Sequence, residues 1–259
     1  ELCATGLGRV VSPLIRMLRD RVFRHIDAVV GVTPEITRYE VDVAGRPLPS
    51  FTMANGIDVR AYPLRTPPPP GAGTFRLLYV GSHTASWQGL DRVLAGMKAR
   101  GADRNTELHI AGTVTPDIRR LLDELRLGDR VTMHGYVAGD RLDRLFDMCD
   151  VAVGSLGIHR KGLTEASTLK VREYMARGIP FVISHTDVDV APGLPFVFHA
   201  PADDNPLDMA AVERFSRELR NMYGDTLGPS MRRYAEQRMD YRIKTRDLLH
   251  FIMSVKRNA

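Results

Sequence analysis

The 259-residue sequence predicts an α/β fold with a doubly wound parallel sheet, together with part of a second α/β domain. Short apolar runs alternate with segments of helical periodicity, which favours a parallel sheet covered by helices on both faces. Several apolar runs end in a glycine, as in Leu77-Leu78-Tyr79-Val80-Gly81, and four consecutive prolines at 67–70 divide the chain. These three observations predict two domains joined by a linker.

Residues 1–65 are expected to form the last part of an amino-terminal α/β domain. The pattern predicts a helix at 14–26, a strand at 28–30, a helix from Thr33-Pro34 and a strand at 50–53. Residues 66–73 are rich in proline and glycine, so we expect an interdomain linker. The sequence starts with Glu1 and shows no signal pattern, and we expect it to be a fragment.

Residues 74–205 contain the repeated strand–helix units. Strands are predicted at 75–80, 107–111, 131–134, 151–153 and 181–184. Helices are predicted at 90–99, 116–127, 140–149 and 168–177. Residues 206–259 are expected to be helical with a break at 224–229, and these helices are expected to cross back to the first domain. Ligands of such sheets bind beyond the carboxyl ends of the strands, so Gly81 and Ser155, which follow two strands, are expected to border a ligand.

Composition excludes several classes of protein. The net charge is +5, and residues 229–259 carry eight Lys or Arg against three acidic residues. With only 7% aromatic residues and no recognition motif, a nucleic-acid partner is not expected. Two distant cysteines indicate neither a disulfide framework nor a cysteine-based zinc site, so we expect a cytoplasmic protein.

Membrane contact is expected to be peripheral at most. No apolar run approaches the length of a membrane-spanning helix. The helix predicted at 14–26 carries four arginines, which could contact anionic lipid at the inner membrane face: Arg16, Arg19, Arg21 and Arg24. We favour the alternative that this helix docks on the rest of an α/β domain.

The start of the helix predicted at 168–177 has the chemistry of an anion site. Ser167 or Thr168 is a natural N-cap, so the amides of Thr168, Leu169 and Lys170 are expected to point out of the helix. Free N–H groups and the positive end of the helix dipole attract anions, and Lys170 adds a full positive charge. A diphosphate suits this arrangement.

Two glutamates flank this anion site. Glu165 precedes the helix, and Glu173 lies one turn beyond Lys170, where a carboxylate can accept hydrogen bonds from two hydroxyl groups. These positions indicate hydroxyl-bearing rings on either side of the diphosphate, with Glu173 towards a ribose and Glu165 towards a sugar.

The same segment carries a family signature. Glu165, seven further residues and Glu173, followed by Tyr174-Met175-Ala176-Arg177-Gly178-Ile179-Pro180, resembles the E-x7-E helix of the family 4-type (group 1) retaining glycosyltransferases of the GT-B fold. Asn55-Gly56-Ile57-Asp58 resembles the family's NGID segment. The resemblance covers about residues 28–185 in the family's order, including the strands that end at Gly81, Gly112 and Gly135.

The resemblance implies a Rossmann-like carboxy-terminal domain that binds a nucleotide-diphosphate sugar. It also implies metal-independent transfer of the sugar, without a cofactor, to a glycan or lipid-linked acceptor. Glu165 would contact the transferred sugar as the catalytic residue, Glu173 would hold the ribose, and Tyr136 and Val137 would lie against the base. The diphosphate would be held by four consecutive residues: Ser167, Thr168, Leu169 and Lys170.

The sequence lacks the family's cationic residue at two positions. Ser82-His83 stands where the family has Arg or Lys after the first strand of this domain, and Gln88 stands where it has Lys before a glycine. We expect His83, Arg160 and Lys161 to supply the missing charge.

Three alternatives remain open. A GT-B epimerase would act on the nucleotide sugar itself, and a non-catalytic subunit would keep the fold without the chemistry. A metal-dependent transferase would use Asp187-Val188-Asp189, since a D-x-D after a strand can bind a metal–diphosphate.

Overall fold

The computed structural model describes residues 18, 21–69, 73–82, 85–101 and 105–258. The contacts within the chain divide it into two compact units, residues 1–54 with 244–259 and residues 55–243. Six of the 13 residues of the helix predicted at 14–26 lie outside the described residues, including Arg16 and Arg19, and so does the candidate His83.

The first unit contains a parallel strand–helix–strand motif. Strands β1 (Val29–Gly31) and β2 (Ser50–Thr52) pair in parallel, and helix α1 (Pro34–Ala44) connects them. Thr33 begins the helix because its side chain accepts a 3.2 Å hydrogen bond from the backbone N–H of Ile36. The predicted helix and both predicted strands are confirmed.

The second unit is built on a sheet of parallel strands. Its strands are β3 (Phe75–Val80), β4 (Thr106–Ala111), β5 (Val131–Gly135), β6 (Val151–Val153), β7 (Phe181–Ile183) and β8 (Val197–His199). They lie in the order β5-β4-β3-β6-β7-β8. The order reverses between β3 and β6, which makes the space beyond their carboxyl ends the switch point of the sheet.

Helices cover both faces of this sheet. They are α2 (Leu90–Ala99), α3 (Pro116–Leu125), α4 (Asp140–Met148), α5 (Leu169–Arg177), α6 (Met209–Tyr223) and α7 (Leu227–Arg238). Side chains alternate along β3, so Leu77 and Tyr79 pack with α2 and α3 while Leu78 packs with α4 and α5. Both faces are therefore apolar, and the predicted doubly wound sheet is confirmed.

Residues 55–69 pack against the rest of the second unit. The backbone N–H of Ile57 donates to the Met239 carbonyl (3.0 Å), and buried Arg65 donates to the Gly178 carbonyl (3.1 Å). These bonds explain why the division between the units follows Ala54 rather than residue 65. The assignment of the units to the acceptor and donor sides stays a prediction.

The carboxy-terminal helices differ from the prediction at one point. The expected break near 224–229 is present as a short 3-10 helix, Gly224–Thr226. A second break at Met239 and Asp240 separates α7 from α8 (Tyr241–Asn258). Within the described part of the chain, no helix has the length and apolar composition needed to cross a bilayer.

Candidate functional site

Helix α5 begins at the switch point with an uncapped first turn. Thr168 is the N-cap residue, with φ −93° and ψ 138°, but its side chain makes no capping hydrogen bond. Its Oγ1 is buried and has no hydrogen-bond partner among the described residues. The first N–H groups of α5 therefore receive no side-chain cap from Thr168, which leaves them available to an anion.

Ser167 serves a different purpose from the capping role predicted for it. The backbone N–H of Asn55 donates to Ser167 Oγ (2.8 Å), and Asn55 Nδ2 donates to the Ser167 carbonyl (2.5 Å). The Asn55-Gly56 segment thus fixes the residues that lead into α5.

Lys170 presents a buried ammonium group at the end of β3. Its Nζ is buried, has no hydrogen-bond partner in the described part of the chain, and lies 4.2 Å from the centroid of the Tyr79 ring. A methyl group on Gly81 would come 3.9 Å from this nitrogen. Burial lowers the pKa of Lys170 to about 7, because the charged form loses its hydration.

Close backbone packing shapes the strand ends beside Lys170. Gly112 directly follows β4 with φ +144°, and a Cβ there would come 2.2 Å from the Gly81 carbonyl oxygen. Only glycine fits at this position. The ends of β3 and β4 thus present backbone without side chains next to the Lys170 ammonium group.

Tyr174 joins β3 and β6 where the strand order reverses. Its hydroxyl donates to the Val153 carbonyl (3.0 Å) and accepts from the backbone N–H of Val80 (3.2 Å). This buried tyrosine anchors α5 against the switch point, so the start of the helix is held at the ligand-binding edge of the sheet. Tyr174 is part of the family signature, but no sequence pattern predicted its anchoring role.

Glu173 lies on the side of α5 that faces α4. Its Oε1 accepts a 2.8 Å hydrogen bond from Arg177 Nε, and its side chain is mostly buried. Burial raises the pKa of Glu173, while the Arg177 charge opposes that rise. A carboxylate has about four acceptor positions, so this single bond leaves capacity for hydroxyl groups.

Glu165 lies beside the end of β7. It forms a parallel bridge with Thr186, in which the backbone N–H of Ala166 donates to the Thr186 carbonyl (3.0 Å). The bridge holds the backbone of the loop ahead of α5 at the carboxyl edge of the sheet. Glu165 and Glu173 stand at the two ends of one segment, and the bridge fixes the Glu165 end at this edge.

Tyr136 and Val137 follow β5 in the loop that leads to α4. Tyr136 is 87% exposed, whereas Val137 packs against the core. Leu169, in the first turn of α5, is also largely exposed. Two exposed apolar side chains thus lie on the elements that flank Glu173, while Val137 contributes to the core beneath the loop.

Arg160 and Lys161 contact residues that lie outside α5. Arg160 donates to both oxygens of Asp91 (2.9 and 2.7 Å), to Asp204 (2.7 Å) and to the Ser86 carbonyl (2.7 Å). Lys161 lies 5.2 Å from the centroid of the Trp87 ring. The sequence suggested a cation role for both residues because it does not reveal these partners.

Gln88 is a buried structural residue. Its Oε1 accepts from the Tyr79 hydroxyl, and its Nε2 donates to the Ser82 carbonyl (2.9 Å). The side chain that replaces the family's lysine thus supports Tyr79, the ring beneath Lys170.

The D-x-D segment forms an ion-pair network with Arg172. This fully buried arginine pairs with Asp187 (2.8 Å) and Asp189 (2.6 Å) and donates to the Asn55 carbonyl (2.8 Å). Both carboxylates are therefore paired with the same protein cation. Arg172 was not among the predicted site residues, although its place one turn from Thr168 was visible in the sequence.

Further buried polar atoms lie at the ends of β6 and β7. Ser155 Oγ, Ser184 Oγ and His185 Nε2 have no hydrogen-bond partner among the residues that the structure describes. His185 Nδ1–H donates to the Ser155 carbonyl (3.2 Å), and burial lowers the pKa of His185 to about 4. Its Nε2 is therefore a bare acceptor. Buried polar atoms are usually hydrogen-bonded, so this group indicates water or a ligand.

Comparison with known proteins identifies a family by its sequence model and a fold by solved structures. The family model described as Glycosyl transferases group 1 matches residues 74–212. Among solved structures, sucrose-phosphate synthase from Thermosynechococcus elongatus is similar at a TM-score of 0.71 and 19% identity, over 95% of this chain and 63% of that chain. HepE from Anabaena, in complex with UDP, is similar at a TM-score of 0.68 and 17% identity, over 93% of this chain and 67% of that chain.

A TarM mutant from S. aureus, in complex with fondaparinux, alpha-GlcNAc-glycerol and UDP, is similar at a TM-score of 0.58 and 14% identity, over 92% of this chain and 46% of that chain. At these identities the likeness shows the GT-B fold alone. The chain spans less than two thirds of the length of the synthase. No curated protein matches the chain in sequence.

Proposed function

The chain belongs to the group 1 glycosyltransferases, and on this premise we propose that it forms the donor-binding part of a retaining, metal-independent enzyme. The enzyme would transfer a sugar from a nucleotide-diphosphate sugar to a glycan or lipid-linked acceptor. Neighbours of the same fold support this choice of substrates, since HepE was crystallised with UDP-glucose and TarM with UDP and alpha-GlcNAc-glycerol.

The buried Lys170 ammonium is the observation that carries the proposal. A buried charge without a counter-ion is unfavourable, so a cation kept at this position favours an anionic ligand. The first N–H groups of α5, which receive no side-chain cap from Thr168, also favour an anion. A diphosphate there would accept hydrogen bonds from Lys170 and from the first turn of the helix.

The same groups would act in the reaction. As the bond between the sugar and the diphosphate breaks, negative charge grows on the leaving phosphate oxygen. In the proposed enzyme Lys170 and the α5 amides would stabilise that charge, since preorganised dipoles and cations lower a barrier. We assign Glu165 to the transferred sugar and Glu173 to the ribose. We infer the retaining stereochemistry because the spacing of these two glutamates resembles the E-x7-E signature of the retaining glycosyltransferases.

Metal independence is supported by the Arg172 network. Asp187 and Asp189 are the carboxylates that a metal–diphosphate motif would use, and both bind the guanidinium of Arg172. A divalent cation would have to displace this buried arginine. In the proposed enzyme the diphosphate charge is therefore met by Lys170 and the helix.

Calorimetric titration with UDP, GDP and ADP tests the proposal. We expect one nucleotide to bind with the same affinity in the presence of a chelator. Lys170→Ala should weaken it about 10- to 100-fold, because a hydrogen bond to a charged group contributes about 1.5–3 kcal/mol. Glu173→Ala should also weaken it. The matched control is Lys98→Ala, which removes an exposed lysine from α2 and should change nothing.

Equal affinity in the Lys170→Ala variant and the unmodified chain would refute the site. The stereochemical claim needs the full-length protein, in which NMR of the first product should show the donor's anomeric configuration preserved. An inverted product would exclude the retaining mechanism.

A non-catalytic subunit is the second candidate, and Gln88 favours it. The residue that replaces the family's lysine is buried and bound to Tyr79 and Ser82, so it offers no charge to a phosphate. This candidate predicts no affinity for any of the three nucleotides, both in this chain and in the full-length protein.

A further inference from the structure

Arg177 lies at the end of α5 and is almost fully buried. Its Nε donates to Glu173 Oε1 (2.8 Å), and its Nη1 donates to Asp143 Oδ1 (2.6 Å). The carbon at the centre of its guanidinium lies 4.4 Å from the centroid of the Phe146 ring and 5.4 Å from that of Tyr62. Two carboxylates and two aromatic rings therefore fix a single side chain.

The contacts of Arg177 join two helices at the proposed nucleoside site. Asp143 and Phe146 belong to α4, which follows the loop that carries Tyr136, while Glu173 belongs to α5. A guanidinium is planar and presents its donors in a rigid fork, so it sets the orientation of both carboxylates at once. No lysine can make the same pair of bonds with the same geometry.

We propose that Arg177 is a positioning residue for the nucleoside of the donor, holding the Glu173 carboxylate in place for the ribose hydroxyls and fixing α4 beneath the base loop. The inference rests on the proposed function, because it takes Glu173 to be the ribose ligand. It adds a residue that touches no substrate and acts through Glu173.

The charges around Glu173 give this role a measurable signature. Burial raises the pKa of Glu173, the Arg177 guanidinium lowers it, and the Asp143 carboxylate on α4 raises it. Tyr62 is a further titratable group that faces the pair, and burial together with the Glu173 charge raises its pKa. Loss of Arg177 would remove the influence that keeps Glu173 ionised and leave those that favour its protonated form.

The test is calorimetric titration with UDP, GDP and ADP between pH 5.5 and pH 8.5 for the unmodified chain and for Arg177→Met, Arg177→Lys and Glu173→Gln. We expect affinity to fall as Glu173 takes up a proton at low pH. In Arg177→Met the midpoint of this fall should move to higher pH, and below that midpoint binding should weaken about tenfold for each pH unit. Glu173→Gln should bind weakly at every pH.

Two further variants make the result specific. Arg177→Lys keeps the charge but loses the fork, so its midpoint should stay close to that of the unmodified chain while affinity falls. Arg120→Met, which removes an exposed arginine from α3, is the matched control and should change neither quantity. If Arg177→Met does not fold in a thermal unfolding assay, Asp143→Asn tests the same network and should move the midpoint to lower pH.

The inference is overturned if Glu173→Gln binds weakly while Arg177→Met keeps the affinity and pH profile of the unmodified chain. If Glu173→Gln binds as the unmodified chain does, the ribose assignment within the proposed function fails instead. The two failures are therefore distinguishable.

Discussion

The lysine at the start of α5 and the neighbouring arginines differ in whether carboxylates pair with them. Lys170 Nζ and Thr168 Oγ1 are buried without hydrogen-bond partners among the described residues. A few residues away, Arg172 is paired with Asp187 and Asp189, and Arg160 with Asp91 and Asp204. Both regions border the carboxyl edge of one sheet.

This difference distinguishes a cation that binds a ligand from a cation that stabilises the fold. A paired arginine contributes to stability through its partners, and a ligand would have to compete with them. An unpaired buried lysine costs folding free energy and is explained by an anion that arrives later. The partner of a cation, rather than its residue type, indicates its role.

Arg172→Met is expected to have the largest effect on stability. It removes the cation that lies between two largely buried carboxylates, and breaking such a pair from one side costs about 3–5 kcal/mol. Denaturant unfolding monitored by circular dichroism would measure the loss. Arg120→Met, on the exposed face of α3, should cost less than about 1 kcal/mol. Equal losses in the two variants would mean that the network contributes little.

The titration of Lys170 should appear in the pH dependence of nucleotide affinity. Because its pKa lies at about 7, the free protein loses the ammonium charge as pH rises through that value. Affinity should then fall about tenfold for each pH unit above 7. Lys170→Arg, which stays charged, should remove this slope, and a slope that persists in Lys170→Arg would assign it to another group.

The lowered pKa of Lys170 also has a consequence for stability. The folded-state pKa of Lys170 is below its ordinary value of 10.5, so the unfolded chain binds more protons between about pH 7 and pH 10. Stability should therefore rise with pH across this window in the unmodified chain. Lys170→Met should lack that rise when unfolding is measured at pH 7 and pH 9.

Arg160→Met should have a smaller effect on stability than Arg172→Met. Its partners Asp91 and Asp204 are accessible to solvent, which hydrates them once the arginine is removed. Nucleotide affinity should change by less than about twofold. A large loss of nucleotide affinity would instead indicate that Arg160 contacts the donor.

Most of the second unit could be predicted from its sequence. Strands such as Phe75–Val80 and helices such as Leu90–Ala99 have clear periodicity and glycine boundaries, and the predicted ends agree with the structure. Strand β8 was not predicted because Val197–His199 is short and lies at the edge of the sheet, where few apolar residues are needed. The break at Met239 and Asp240 lacks a glycine or proline to mark it.

The site was less predictable, because hydrogen-bond partners from distant segments decide which groups stay free. The sequence identified Lys170 as a cation at a helix start, and local spacing was sufficient for that. It could not reveal that Asn55 binds Ser167 across 112 positions, or that Asp91 and Asp204 bind Arg160. Nor did it indicate that Asp187 and Asp189 hold Arg172.

The most direct test is to measure nucleotide affinity and the free energy of unfolding side by side for Lys170→Met and Arg160→Met at pH 7. We predict a crossed result, in which Lys170→Met loses affinity but not stability, and Arg160→Met loses stability but not affinity. The reverse pattern, or equal affinity losses in both variants, would contradict the distinction between a binding lysine and a structural arginine.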